Sequence, residues 1–227
     1  LLTPLNLSKI AAYSKINIPA KEDLLFLDTE TSGLSGGTGT FAFLIGLSWW
    51  ENGSLYTQQL FLENPAQEPA ALLHLSNLLD RFSTIVSFNG KSFDIPILAN
   101  RFTLNRIENP LKGKSHIDLL HLSRRLWKER LDDRSLGNLE KLILSFQRTS
   151  DDIPGWMVPE MYFEYLRSTD ASKLAGVFYH NEIDVVSLAA LLIRLDKLLE
   201  YETQDENLDT RDLFSIARIM EAIGDPS

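Results

Sequence analysis

Leu24-Leu25-Phe26-Leu27-Asp28-Thr29-Glu30-Thr31-Ser32-Gly33 decides how this chain is read. Four apolar residues run into a cluster of acids, hydroxyls and glycine, the pattern of a short buried strand over 24–28 closed by a polar turn. Side chains two apart on a strand share a face, so Asp28 and Glu30 project side by side from the strand end. Like charges that close repel unless a cation lies between them or one carboxylate takes a proton. The same residues also suit an ordinary strand-end turn, so the pair gains meaning only from what joins it.

Outward from this run, residues 41–50 predict a second strand, Asn52-Gly53 a type I′ turn, and residues 54–62 the returning strand. Together these make a three-strand antiparallel meander. A helix follows over 67–81, a fourth strand over 84–88, a helix over 93–104 with Pro96 in its first turn, and a short strand over 115–118. From 119 the period is helical, in segments near 119–129, 135–146, 159–168 and 172–200, punctuated by Gly137, Pro154-Gly155 and Pro159. The fold class is therefore α/β, a mixed sheet with an antiparallel front and a parallel back flanked by helices. Residues 1–21 read as an N-terminal extension, 22–200 as one domain, and 201–227 as an acidic linker entering a C-terminal helical segment. The helix at 209–223 is apolar on most of its surface, so it is expected to pack on something, such as a neighbouring helical module or protein partner.

Composition narrows the chemistry. At 227 residues, 44% hydrophobic and 23% charged, the chain can bury a real core. The absence of cysteine removes disulfides, thiolate metal sites and a cysteine nucleophile. No run approaches the roughly 18 apolar residues that a membrane span needs, and Leu1-Leu2-Thr3-Pro4 has neither an initiator Met nor a signal-peptide pattern. The expectation is an excised piece of a cytoplasmic protein with no membrane partner. The net charge of −9 argues at first against a polyanion. Its distribution argues otherwise: residues 101–148 hold eleven bases against six acids, a local +5, whereas the segment from Asp196 onward carries nine acids and three bases.

Two further pieces carry acids. In Ser87-Phe88-Asn89-Gly90-Lys91-Ser92-Phe93-Asp94 a strand gives way to a helix, and Asp94 lies in that helix's first turn. The helix dipole favours an acid there, and so does a catalytic role at the carboxyl end of a strand. In His180-Asn181-Glu182-Ile183-Asp184, His180 and Asp184 are four apart and share a helix face with Val177, Leu188 and Leu191. An acid against packed surface is costly unless it is paired or metal-bound. Oxygen ligands with no sulfur among them select Mg²⁺ or Mn²⁺.

Asp-x-Glu on a first strand, Asp early in a later helix and His-x-x-x-Asp on a late helix together resemble the DEDD 3′–5′ exonuclease superfamily, which has a ribonuclease H-like fold. Within it the chain is most similar to YprB-type ribonuclease H-like domains. The likeness is carried also by the Gly36-Gly37-Thr38-Gly39-Thr40 turn, Phe43-Leu44-Ile45-Gly46 and Asp152-Ile153-Pro154-Gly155, and it spans about residues 22–200. The resemblance implies a metal-dependent 3′–5′ exonuclease acting on DNA or RNA through two divalent cations, Mg²⁺ or Mn²⁺. Asp28 would bridge both ions, Glu30 and Asp184 would complete one, and Asp94 would hold the second. His180 would orient or deprotonate the attacking water. Here the chain departs from the family pattern, which has Tyr four positions or His five positions before the last acid. His180 stands at four and Tyr179 at five, with His180 the candidate base because it shares a face with Asp184.

Thr29, Thr31, Asn89 and Lys91 flank this constellation as candidate contacts for phosphate or sugar. Asp118 reads as a structural strand-end acid, and Trp49, Trp50 and Trp127 as core. The glycine-rich run from Gly33 lacks the Gly-Lys-Ser/Thr of a P-loop. Three other functions remain open at this point: a nucleic-acid-binding module of the same fold with weak catalysis, a structure-specific endonuclease, and a scaffold that recruits a partner through its tail.

Overall fold

A computed structural model describes residues 5–33, 39–149, 153–200 and 208–224. Five strands form one sheet: β1 (Leu24–Thr31), β2 (Ala42–Glu51), β3 (Ser54–Phe61), β4 (Thr84–Ser87) and β5 (Ser115–Asp118), in the order β3-β2-β1-β4-β5. The β1–β2 and β2–β3 pairs are antiparallel, and the β1–β4 and β4–β5 pairs are parallel. This is the mixed sheet the sequence predicts. Asn52 and Gly53 take φ of 52° and 80° between the paired Glu51 and Ser54, the two left-handed residues a type I′ turn requires.

β1 is longer than its apolar run: it continues through Asp28, Thr29 and Glu30 to Thr31, with a register shift against β2 between Glu30 and Thr31. The acids therefore lie within a strand, where the pleat sets their direction. Leu24 and Phe26 join a cluster with Val86, Ile117 and the helices α4 (Leu119–Leu126) and α7 (Leu174–Leu199). Leu25 and Leu27 join the opposite cluster with α2 (Glu68–Leu79) and α3 (Asp94–Leu104). The sheet is thus covered on both faces, and even-numbered β1 residues face α7 while odd-numbered ones face α2 and α3. A third cluster stacks Tyr162 of α6 (Val158–Ser168) on Phe43 of β2, with ring centroids 4.1 Å apart. The short α5 (Leu136–Leu142) packs beside α7.

The two chain ends differ from expectation. The segment expected to be an extension holds a helix, α1 (Ser8–Ser14), whose Leu7 and Ile10 enter the α4–α7 core. Asp196 of α7 fastens it by accepting the N–H groups of Asn6 and Leu7 at 3.0 and 2.8 Å. The last helix, α8 (Thr210–Ile223), packs Ile216, Ile219 and Met220 into that same cluster, against α1 and α4. Its apolar face is covered by this domain itself, while Leu213 and Phe214 stay exposed. The expected segments at Gly36-Gly37-Thr38 and Asp152, and the linker at 201–207, lie outside the described residues. Among the described residues no helix is long and apolar enough to cross a membrane.

Candidate active site

The even face of β1 runs from Leu24 and Phe26 in the core to Asp28 and Glu30 near the strand's C-terminal end. α7 crosses that face and brings Asp184 to them. One oxygen from each of Asp28, Glu30 and Asp184 lies within 4.8 Å of the others, and all three side chains are partly exposed. They line a cleft of about 480 Å³ that is also walled by Phe88, Arg148 and His180. Burial, then the charges of Asp184, Asp94 and Glu30, push the Asp28 carboxyl well above its ordinary range. Burial, then Asp184 and Asp94, lift Glu30 to about 8. Three convergent carboxylates that resist ionising together are a fitting donor set for a hard divalent cation, which would relieve the repulsion that raises them.

Asp94 stands apart from this group. It opens α3, which covers the odd face of β1, and there it meets the odd-numbered Thr29. The Thr29 hydroxyl donates to Asp94 Oδ1 at 2.5 Å, and both residues are buried. Burial raises Asp94 to about 6. Its charge is still near enough to raise Asp28 and Glu30. Of the four acids the sequence nominates, three therefore gather in one cluster, and the fourth is engaged on the other side of the strand.

Two of the clustered acids, Asp28 and Asp184, have a mount. Asn181, fully buried on α7, donates from Nδ2 to Asp28 Oδ2 at 3.0 Å. Its Oδ1 accepts from Gln59 Nε2 of β3 at 3.0 Å. It fits there because Gly46 of β2 has no side chain; a methyl at that position would collide with the Asn181 amide. Asp184 is held differently, by a charge-assisted bond from Arg148 Nη2. Arg148 is in turn gripped by Glu140 through two bonds of 2.7 and 2.8 Å. Glu140 is 1% exposed, so the guanidinium rests on a buried acid. Burial raises Asp184, and Arg148 opposes that shift.

The exchanged pair separates cleanly. His180 is buried in the cleft wall. The Tyr179 hydroxyl turns to Thr149, accepting its N–H at 3.2 Å and bonding its hydroxyl at 2.9 Å, and it does not line the cleft. Arg148 Nη1 lies 3.3 Å from His180 Nδ1. A guanidinium only donates, so Nδ1 accepts, and the proton of the neutral ring is on Nε2.

Among the expected substrate contacts, Thr29 and Thr31 are corrected. Both are buried, Thr29 spending its hydroxyl on Asp94 and Thr31 on the Gly33 carbonyl at 2.8 Å. The strand pleat turns them away from the cleft. Asn89 and Lys91 are exposed beside it. Their backbone N–H groups donate to Asp118 at 2.8 and 3.0 Å, and Asp118 also caps α4 through Leu120 N. Asp118 is thus the structural acid the sequence predicts, and it shapes the turn that delivers Asp94. Trp49, Trp50 and Trp127 are core, as expected. Trp156 was missed: it is 66% exposed next to Pro154 and Gly155 of the cleft wall.

Sequence reasoning also missed Arg148, Glu140, Asn181 and Gln59 as site residues. Asn181 had a signal, since it falls inside the His180–Asp184 run. Arg148 had none, because it is 36 residues from Asp184 and reads as one base among eleven.

Comparison with known proteins agrees with this geometry. A family model of the RNase H superfamily, RNase_H_2, matches residues 25–205. The uncharacterized protein YprB of Bacillus subtilis (strain 168) is 39% identical over 184 residues, which cover 81% of this chain and 44% of that protein. The chain therefore spans under half the length of that relative. Among solved structures, the family B DNA polymerase of the hyperthermophilic archaeon Pyrobaculum calidifontis superposes with a TM-score of 0.60 over 88% of this chain and 28% of the polymerase, at 16% identity. That likeness speaks for the fold.

Proposed function

The chain belongs to the RNase H superfamily, and from that membership we propose that it is a nuclease hydrolysing phosphodiester bonds with divalent cations held by Asp28, Glu30 and Asp184. The observation that carries the reading is the convergence of these three carboxylates, from a strand and from a helix more than 140 residues later, on one wall of an open cleft. All-oxygen donors favour Mg²⁺ or Mn²⁺. When bound, such ions stabilise the charge that develops on the attacking and leaving oxygens of an in-line displacement. The resemblance to DEDD enzymes supports 3′–5′ exonuclease action and a second ion near Asp28. Asp94 is the acid available to that second ion, with one of its oxygens already taken by Thr29.

The remaining roles belong to the chain's own groups. His180 stands in the cleft wall beside the clustered acids; its Nδ1 can remove a proton only when Arg148 releases it. Arg148 opposes the rise that burial imposes on Asp184 and presents positive charge to a polyanion. A second groove of about 470 Å³ shares Phe88, Ser135 and Leu136 with the cleft and carries Asn89, Arg124 and Arg134. Its arginines come from the positive window of the sequence, Asp132 and Asp133 stand beside them, and the groove extends the cleft away from the three acids. Trp156 is placed to stack a base at the rim. Trp156→Ala is expected to weaken oligonucleotide binding by roughly 1–3 kcal/mol in a fluorescence titration.

The Arg148–His180 contact favours a second reading, a binding module of the same fold with slow catalysis. One assay decides among these. End-labelled single strands, duplexes and closed circles are incubated with Mg²⁺, Mn²⁺ or EDTA, using wild type and Asp28→Asn. Stepwise shortening from the 3′ end, lost in EDTA and in Asp28→Asn, is expected. Cleavage of the closed circle would establish endonuclease action instead. Binding without any metal-dependent hydrolysis would leave the weak binding module.

A further inference from the structure

We propose that Asn181 is a positioning residue for the metal site, aimed by Gln59, which fixes the Asp28 carboxylate in the orientation that the cation requires. This rests on the reading of Asp28, Glu30 and Asp184 as metal ligands. An amide side chain has a donor end and an acceptor end, and which end faces a carboxylate determines whether it holds or repels it. Here the direction is set from the far end of a chain of bonds. The Phe178 carbonyl can only accept, and Gln59 Nε2 donates to it at 2.8 Å. The same Gln59 nitrogen donates to Asn181 Oδ1, so Asn181 must present oxygen to Gln59 and its NH₂ to Asp28 Oδ2.

The arrangement has a second, independent support in sequence choice. β2 is buried along nearly its whole length, and at Gly46 it gives up a side chain where any Cβ would strike the Asn181 amide. Gly46 pairs with Asp28 across the β1–β2 ladder and with Gln59 across the β2–β3 ladder. The three groups therefore lie on one transverse line of the sheet, under one helical residue. The amide is also neutral. It can hold Asp28 without adding positive charge that would compete with a cation, which a lysine or arginine at this place would do.

The test is Mn²⁺ affinity, measured by calorimetry on the full chain, together with the melting temperature of the metal-free protein. Three substitutions are compared with wild type: Asp28→Asn, Asn181→Ala and Gln59→Met. Loss of Mn²⁺ binding in Asp28→Asn is expected. Asn181→Ala is expected to weaken Mn²⁺ by about 10–100-fold, the usual cost of removing a group that orients a ligand. Gln59→Met, which leaves Asn181 in place but free to turn, is expected to weaken it by a smaller factor with the metal-free melting temperature nearly unchanged. If Asp28→Asn loses Mn²⁺ while the other two keep wild-type affinity, the positioning role is overturned and the metal site stands. If Asp28→Asn binds Mn²⁺ as wild type does, the metal reading itself fails. Should Asn181→Ala not fold, Gln59→Met decides alone, because Gln59 is only partly buried on the edge strand: unchanged Mn²⁺ affinity there overturns the proposal.

Discussion

The two sides of the cleft hold their acids by opposite means. Asp28 is steadied by a neutral amide that the sheet itself aims, through Gly46 and Gln59 on neighbouring strands. Asp184 is steadied by a full positive charge, Arg148, seated on the buried acid Glu140. The first mount is built from ladder partners and costs little to keep. The second brings two charges out of water, so each is expensive to leave unpaired. One arrangement fixes a carboxylate without adding charge beside it; the other adds a positive charge and reaches His180 as well.

The largest effect tests what the two sides share. Asp28→Asn and Asp184→Asn are each expected to lower nuclease activity by more than about 100-fold, beyond the loss usual for outer-shell groups. Retained activity in one of them, measured on end-labelled strands, would show that the sides are not joint holders of one site. Stability should then separate the mounts. Arg148→Met strands Glu140 and is expected to cost about 3 kcal/mol in urea unfolding, the low end for a broken buried pair because the arginine opens partly to the cleft. Adding Glu140→Leu should recover much of that. Asn181→Ala, by contrast, is expected to cost about 1 kcal/mol, since Gln59 keeps the Phe178 carbonyl as partner.

A pH series sharpens the comparison. Glu30 is raised from 4.5 to about 8, so the folded metal-free protein keeps a proton that the unfolded chain has released. The stability this carries is complete below the unfolded value and is lost as pH rises through about 8. Asp94, raised to about 6, acts with the same sign at lower pH. The melting temperature of the metal-free protein is therefore expected to fall between about pH 5 and about pH 8, and Mn²⁺ to restore it at the upper end by binding the ionised acids. A metal-free protein that grows more stable over that interval would contradict this account of the cleft. The smallest effect is at the exchanged pair. Tyr179→Phe loses only the bonds to Thr149 and is expected to change activity less than about twofold, with the melting temperature nearly unchanged. His180→Gln, in the cleft wall, is expected to lose far more.

Much of this was legible because it is local. The apolar run before Asp28, the Asn52-Gly53 turn and the four-residue spacing of His180 and Asp184 each act within a few bonds of backbone, and strand and helix periods turn them into faces. That reasoning nominated Asp28, Glu30, Asp184 and His180, which line one cleft, and it preferred His180 to Tyr179 because His180 shares a helix face with Asp184. It failed where parity reached past the assumed strand end. Once β1 extends to Thr31, Thr29 and Thr31 must face α3. The terminal helices were misjudged for a related reason: an apolar helix announces that it needs cover, and only the fold says that α1, α4 and α8 cover one another.

By itself, then, the sequence determined the mixed sheet and nominated the acids of which three converge, because periodicity and residue chemistry act over short stretches of chain. Only the tertiary structure decided which amide and which guanidinium hold those acids, that Asp94 engages Thr29 from the opposite face, and that Trp156 stands at the rim. Those choices depend on which distant segments the packed sheet and α7 bring within hydrogen-bond reach, and no local period encodes that distance.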